Sequence, residues 1–173
     1  IAVANLFDTS GPGSVSICTV ASGTCSTNLT NPNMSLVAGV AINTAGDCWA
    51  NALNAYSVAV LVYFAGCTGS GQLATGFTNG SYGGVDIDRY GNLVTTSLYG
   101  PSGSIPSTVN VYSGCNPACT LRSSTALAGE SIYGHVGKVT QRYVTTDLLY
   151  ADVGLPCATD HCEAAAYDPS STK

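Results

Sequence analysis

The chain has 173 residues, of which 45% are hydrophobic and only 9% charged, with a net charge of −5. That length suits one domain with a sizeable core, and so apolar a composition is not that of a disordered chain. Five Lys and Arg in all leave no basic stripe for nucleic acid or anionic lipid, and no apolar run approaches the roughly 20 residues of a membrane helix.

Val, Thr, Ser, Gly and Tyr dominate, and these favour strands and turns. Residues 1–6, IAVANL, read as a strand, and 7–14 as a Gly/Pro loop. A hairpin follows, with strands 15–20 and 25–29 around the turn 21–24. Strands are then expected at 36–42, 48–53, 58–64 and 72–76. The next set begins with GVDIDRYGNLVTTSL at 84–98, a strand, a tight turn over Asp88–Asn92 and a second strand. A Gly/Pro/Ser loop at 99–107 leads to strands 109–113 and 120–124. The last set is read at 133–139, 142–149, 151–155 and 162–167.

The strand–turn–strand unit recurs. It stands as GVAINTAGDCWANAL at 39–53, again at 84–98, and in eroded form as GHVGKVTQRYVTTDL at 134–148. Starts spaced by 45 to 50 residues, with several short strands per period, mark a repeat array of propeller blades. The expected fold is therefore all-β: a β-propeller of about four blades, each of four antiparallel strands, at approximately 1–35, 36–81, 82–131 and 132–173. The first blade lacks its own first strand. Residues 164–173 written before residue 1 give AAAYDPSSTK-IAVANL, which reads like that strand, its turn and the second strand. So 167–173 would supply the missing strand within one chain. Alternatively the ends join different chains in a larger ring or head-to-tail fibre, or further blades lie outside this segment. The chain begins at Ile1 rather than Met, as expected of a processed chain or a portion of a longer one, and no signal peptide is seen.

Eight cysteines fall as sequence neighbours: Cys18 with Cys25, Cys48 with Cys67, Cys115 with Cys119, and Cys157 with Cys162. Eight cysteines admit 105 pairings, but local bridges, about one per repeat, are the simplest and imply an oxidising compartment. Zinc at Cys115/Cys119 and Cys157/Cys162 is the weaker reading, since no two pairs lie close in sequence. Sequons at Asn28, Asn33 and Asn79 suit a secreted or cell-surface protein.

The pairs GVAIN-TAGDCWANAL and GVDID-RYGNLVTTSL resemble the NHL-type repeat of secreted β-propellers. That repeat has a small residue, an apolar-x-apolar-Asp/Asn strand, a Gly-Asn/Asp turn and a second apolar strand. The resemblance implies the propeller fold and typically about six blades. It implies little about function, because propellers host binding, scaffold, lactonase and oxidoreductase activities alike.

No catalytic constellation stands out. There is no G-x-S-x-G elbow, and the Gly-rich loops lack a following Lys-Ser/Thr and helix. Asp86, Asp88 and Asn92 form the one oxygen-rich set that structural calcium could use. Their spacing departs from known calcium loops, so they read as a turn and no cofactor is expected. His135, with Glu130 upstream and Asp86 on the equivalent strand, is the best general-base candidate, but a structural role is favoured. His161 reads as a loop residue. Ten tyrosines and Trp49 recur near strand ends. Of these Tyr56, Tyr90 and Tyr99, placed in loops, are the binding candidates, in the way aromatics among Asn, Ser and Gly serve glycan or protein surfaces. The expected function is a non-enzymatic binding or assembly module, partnered by itself or by an extracellular protein or glycan. The alternative is a propeller hydrolase or lactonase with an axial metal, for which two histidines and two glutamates are a thin supply.

Overall fold

A computed structural model describes residues 1–5, 12–97 and 107–126, and three further strands at 136–139, 148–152 and 164–167. It is all-β, with four sheets that follow one another along the chain. The first orders β1 (Ala2–Asn5), β2 (Ser14–Thr19) and β3 (Thr24–Leu29). The second orders β4 (Leu36–Ile42), β5 (Cys48–Leu53), β6 (Ala59–Phe64) and β7 (Gln72–Leu73). The third orders β8 (Val85–Ile87), β9 (Leu93–Ser97), β10 (Thr108–Gly114) and β11 (Cys119–Ala126). The fourth orders β12 (Val136–Val139), β13 (Leu148–Asp152) and β14 (Ala164–Tyr167). Every pairing between neighbouring strands is antiparallel.

The turns explain why the repeated unit folds this way. Between β4 and β5, Asn43 Oδ1 accepts the Asp47 N–H at 2.8 Å, and Asn43 Nδ2 donates to Asp47 Oδ2 at 3.2 Å. Between β8 and β9, Asp88 Oδ1 accepts the Asn92 N–H at 2.8 Å, and Asn92 Nδ2 donates to Asp88 Oδ2 at 2.9 Å. The two turns are alike with amide and carboxylate exchanged. Asn54 builds a third between β5 and β6, its Oδ1 accepting from the N–H of Tyr56 and Val58. The fourth residue of each turn is left-handed: Gly46 at φ 92°, Gly91 at 79° and Ser57 at 59°. Glycine meets that requirement at no steric cost.

Within sheets two and three, β5, β6, β9 and most of β10 are buried along their length, because both faces are covered there. Strand β5 is buried at Cys48, Trp49, Ala50, Asn51 and Ala52. One core joins sheets one and two through Val15, Leu29, Val37, Val60, Val62 and Phe64. A second joins sheets two and three through Ala41, Trp49, Leu61, Val85, Leu93 and Tyr112. A fully buried Leu, Val or Phe in either contributes about 1.5–3 kcal/mol. Neighbouring sheets meet with β1 against β4, β4 against β8 and β8 against β12. The approach of β4 to β8 is close at Gly39, where an added Cβ would lie 3.0 Å from Val85 N, 3.1 Å from Gly83 O and 3.1 Å from Gly84 Cα. That is why the unit opens on a small residue.

Three of the four expected disulfides are formed: Cys18–Cys25, Cys48–Cys67 and Cys115–Cys119. Cys157 and Cys162 lie outside the described residues. Of the two strands expected at 142–149 and 151–155, the structure describes Leu148–Asp152, and 142–147 and 153–155 lie outside the described residues. Strand β7 is shorter than the expected 72–76.

Candidate functional site

The feature that sets the first sheet apart is an edge of β1 that pairs with no strand among the described residues. Ile1 and Cys18 exchange both backbone hydrogen bonds, N→O at 2.9 Å and 2.8 Å. In an antiparallel ladder such pairs alternate with non-bonded ones. With Val3 opposite Ser16 and Asn5 opposite Ser14, residues 1, 3 and 5 turn their peptide groups to β2. Ala2 and Ala4 turn theirs to the opposite edge, where no strand pairs among the described residues. In sheets two and three this place is filled. Ala2 faces Ile17 as Trp49 faces Tyr63 and Val94 faces Val111. Strand β1 is therefore the counterpart of β5 and β9, which carry β4 and β8 on that edge.

A groove of about 490 Å³ runs along this edge, lined by residues 2–4 and 37–40. The side chains that line it are alanine, valine and glycine, and Val3 is 42% exposed. Beside it, Asn5 Nδ2 donates to Ser14 Oγ at 3.0 Å and to Ser16 Oγ at 2.8 Å, and Ser16 Oγ donates to Asn28 Oδ1 at 2.7 Å. The groove has the chemistry of a strand acceptor: outward peptide donors and acceptors beside a shallow, uncharged, small-residue floor.

The aromatic candidates do not converge. Tyr56 is 86% exposed in the β5–β6 turn. Tyr90 is 52% exposed in the β8–β9 turn, with Arg89 over its ring at 4.8 Å and Arg89 Nη2 donating to its hydroxyl at 2.6 Å. Successive turns of a meander lie at opposite ends, and β4 and β8 run side by side, so these two tyrosines sit at opposite ends of the sheets. Tyr99, His135, Glu130 and His161 lie outside the described residues. Trp49, placed by sequence among the aromatics near strand ends but not among the binding candidates, is only 6% exposed. Its Nε1 donates to Cys115 O at 2.6 Å and its ring meets Tyr63 at 5.4 Å, so it joins sheets two and three.

Two acidic side chains belong to turns. The Asp88 carboxylate is occupied by Tyr90 N, Asn92 N and Asn92 Nδ2. Asp47 takes the Gly66 N–H at 2.8 Å, and this bond, followed by that of Asn43, holds its pKa below the ordinary 3.8. Tyr63 beside it is pushed up, first by desolvation and then by the Asp47 charge. Tyr112, whose hydroxyl donates to Thr78 O, is pushed up to about 12 by burial. No group of three or more His, Cys, Asp or Glu suited to a metal ion stands together among the described residues. Among the sequons, Asn79 is 8% exposed and its side chain bonds Ser81 O, Thr96 O and Asn110 Nδ2, which leaves its amide no room for a glycan. Asn28 is exposed. Among the described residues, no helix is long and apolar enough to cross a membrane. A comparison of the chain with protein-family models, curated proteins and solved structures finds no match.

Proposed function

We propose that this chain is an extracellular, non-enzymatic assembly module of the β-propeller type, built from NHL-like repeats, and that it works by receiving a strand at the open edge of β1. The observation that carries this reading is that edge. Ala2 and Ala4 present peptide groups that no strand pairs among the described residues to a small-residue groove, at the place where β4 and β8 complete their own sheets. The intended occupant is a strand from a second copy of the chain. Four consecutive meanders, neighbouring ones meeting through β1, β4, β8 and β12, support the propeller reading, with one sheet treated as one blade. Three local disulfides support an oxidising, extracellular setting. Strand β14 pairs with β13, while residues 168–173, where a closing segment is expected, lie outside the described residues.

The test is the native mass by light scattering across a dilution series, for wild type and Ala4→Pro. Proline at this position removes an outward donor but no bond to β2. Wild type is expected to form species larger than 17.5 kDa that dissociate on dilution, and Ala4→Pro to remain monomeric with an unchanged near-UV spectrum. A wild-type monomer at every concentration overturns the assembly reading. So does an Ala4→Pro variant that assembles like wild type.

A further inference from the structure

The interface between sheets two and three carries a feature that neither its packing nor the open edge accounts for. Among the described residues, four side-chain oxygens there are buried without a protein hydrogen-bond partner: Asn51 Oδ1, Thr95 Oγ1, Thr108 Oγ1 and Asn110 Oδ1. Asn51, Thr95 and Asn110 have no exposed surface and Thr108 has 5%. An unpaired buried polar group destabilises the fold, and most such groups in folded proteins find protein or ordered water.

Strand alternation places them together. Leu93 and Tyr112 of sheet three pack with Trp49 and Leu61 of sheet two. Two residues along each strand, Thr95, Asn110 and Asn51 occupy the same faces. Thr95 stands directly opposite Asn110, and Thr108 opposite Ser97, at cross-strand spacings of about 5 Å. Asn51 reaches over from sheet two, its Nδ2 donating to Gly83 O at 3.1 Å. Asn79 closes the layer. It accepts from Asn110 Nδ2 at 2.7 Å and donates to Ser81 O and Thr96 O at 2.8 and 3.2 Å.

These bonds fix which atoms face inward. Both Asn51 and Asn110 commit their nitrogen and leave the carbonyl oxygen open. The ligand must therefore donate hydrogen bonds to amide oxygens and exchange them with threonine hydroxyls. It must be small enough for a close-packed layer. None of these four side chains is charged, so a cation would find no counter-charge. We infer that this layer is a built site for ordered water, held by Asn51, Thr95, Thr108 and Asn110 between the second and third sheets. One water donating to Asn51 Oδ1 and Asn110 Oδ1 and accepting from Thr95 Oγ1 makes about the three bonds usual for buried water.

The decisive measurement is the sign of the Thr95→Val effect, read with a high-resolution crystal structure of the wild-type chain. In a dry layer valine relieves a buried hydroxyl of its unpaired state, and the melting temperature rises or stays the same. In a hydrated layer valine takes a partner from the water and leaves the amide oxygens worse served. The melting temperature then falls by about 2–6 °C, while Thr95→Ser, which keeps the hydroxyl, falls less. Density for water within about 3.2 Å of Thr95 Oγ1 and Asn110 Oδ1 is expected. A dry layer in the crystal, or a Thr95→Val variant at least as stable as wild type, overturns the inference. Should that variant not fold, magnetic relaxation dispersion on wild type decides it: long-lived internal water supports the site, and none overturns it.

Discussion

Replacing Gly39 by alanine tests whether the second and third sheets meet backbone to backbone. Gly39 lies within β4, and its φ is not among the positive ones. Judged on its own backbone, alanine should be welcome there and stabilise by about 0.4–1 kcal/mol through the unfolded chain. Packing predicts the opposite. The new methyl would stand 3.0–3.1 Å from Val85 N, Gly83 O and Gly84 Cα, where carbon contacts prefer about 3.5–4.0 Å. All three are main-chain atoms, so no rotamer change relieves them, and β8 must move by some tenths of an ångström. Overpacking of this kind costs about 1–3 kcal/mol. For a chain of this size that lowers the melting temperature by roughly 2–12 °C. Calorimetry under non-reducing conditions reads it directly. The control is Gly91→Ala, whose methyl meets nothing within 4 Å but must adopt a φ of +79°. It should cost about 1–2 kcal/mol without disturbing the Trp49 fluorescence that reports the interface. A Gly39→Ala variant that melts at or above wild type would refute the close approach of the two sheets.

The disulfides should rank by the loop each closes. With sequence separations of 19, 7 and 4, paired replacement is expected to cost about 3.2 kcal/mol for Cys48/Cys67, 2.4 for Cys18/Cys25 and 1.9 for Cys115/Cys119, measured by urea unfolding. Asp47 has a folded pKa below its ordinary 3.8. It therefore stabilises the fold above that value, and the contribution is lost as pH falls through the lower folded value. Acid unfolding of Asp47→Asn should lack that component, and identical acid profiles would count against it. Tyr112, at about 12, is raised. Its contribution is complete below the ordinary 10.0 and is lost as pH rises towards 12. Tyrosinate absorbance should show fewer tyrosines ionising near pH 10 in the folded chain than in the unfolded chain, Tyr63 and Tyr112 both being raised, and the deficit should shrink by one in Tyr112→Phe.

Much of the strand layout was legible because local chemistry and the repeat agree. Strands 36–42 and 48–53 coincide with the expectation, and β1, β2, β3, β6, β10 and β11 lie within two residues of it at each end. Asn43–Asp47 and Asp88–Asn92 state their own turns. The free edge of β1 was legible from alignment, since 1–6 matches a second strand with no first before it. What lies across the sheets was not. The bond from Trp49 to Cys115 spans 66 residues and that from Asn79 to Asn110 spans 31, and no local pattern marks either. The sequon at Asn79 suited a secreted protein as a motif, and only tertiary packing turns its side chain inward. Thr95 and Asn110 looked like ordinary strand residues, and only the facing sheet makes their burial a chemical question.

The exchange of amide and carboxylate between the two strand-one turns has a further consequence. Asn43 with Asp47 and Asp88 with Asn92 give the same backbone path, yet the negative charge sits at the fifth position of one turn and the first position of the other. Shape and charge are thus uncoupled at this rim. The electrostatic face shown there can be rewritten one turn at a time, by trading one polar side chain for its near-isostere, while the scaffold beneath keeps its form.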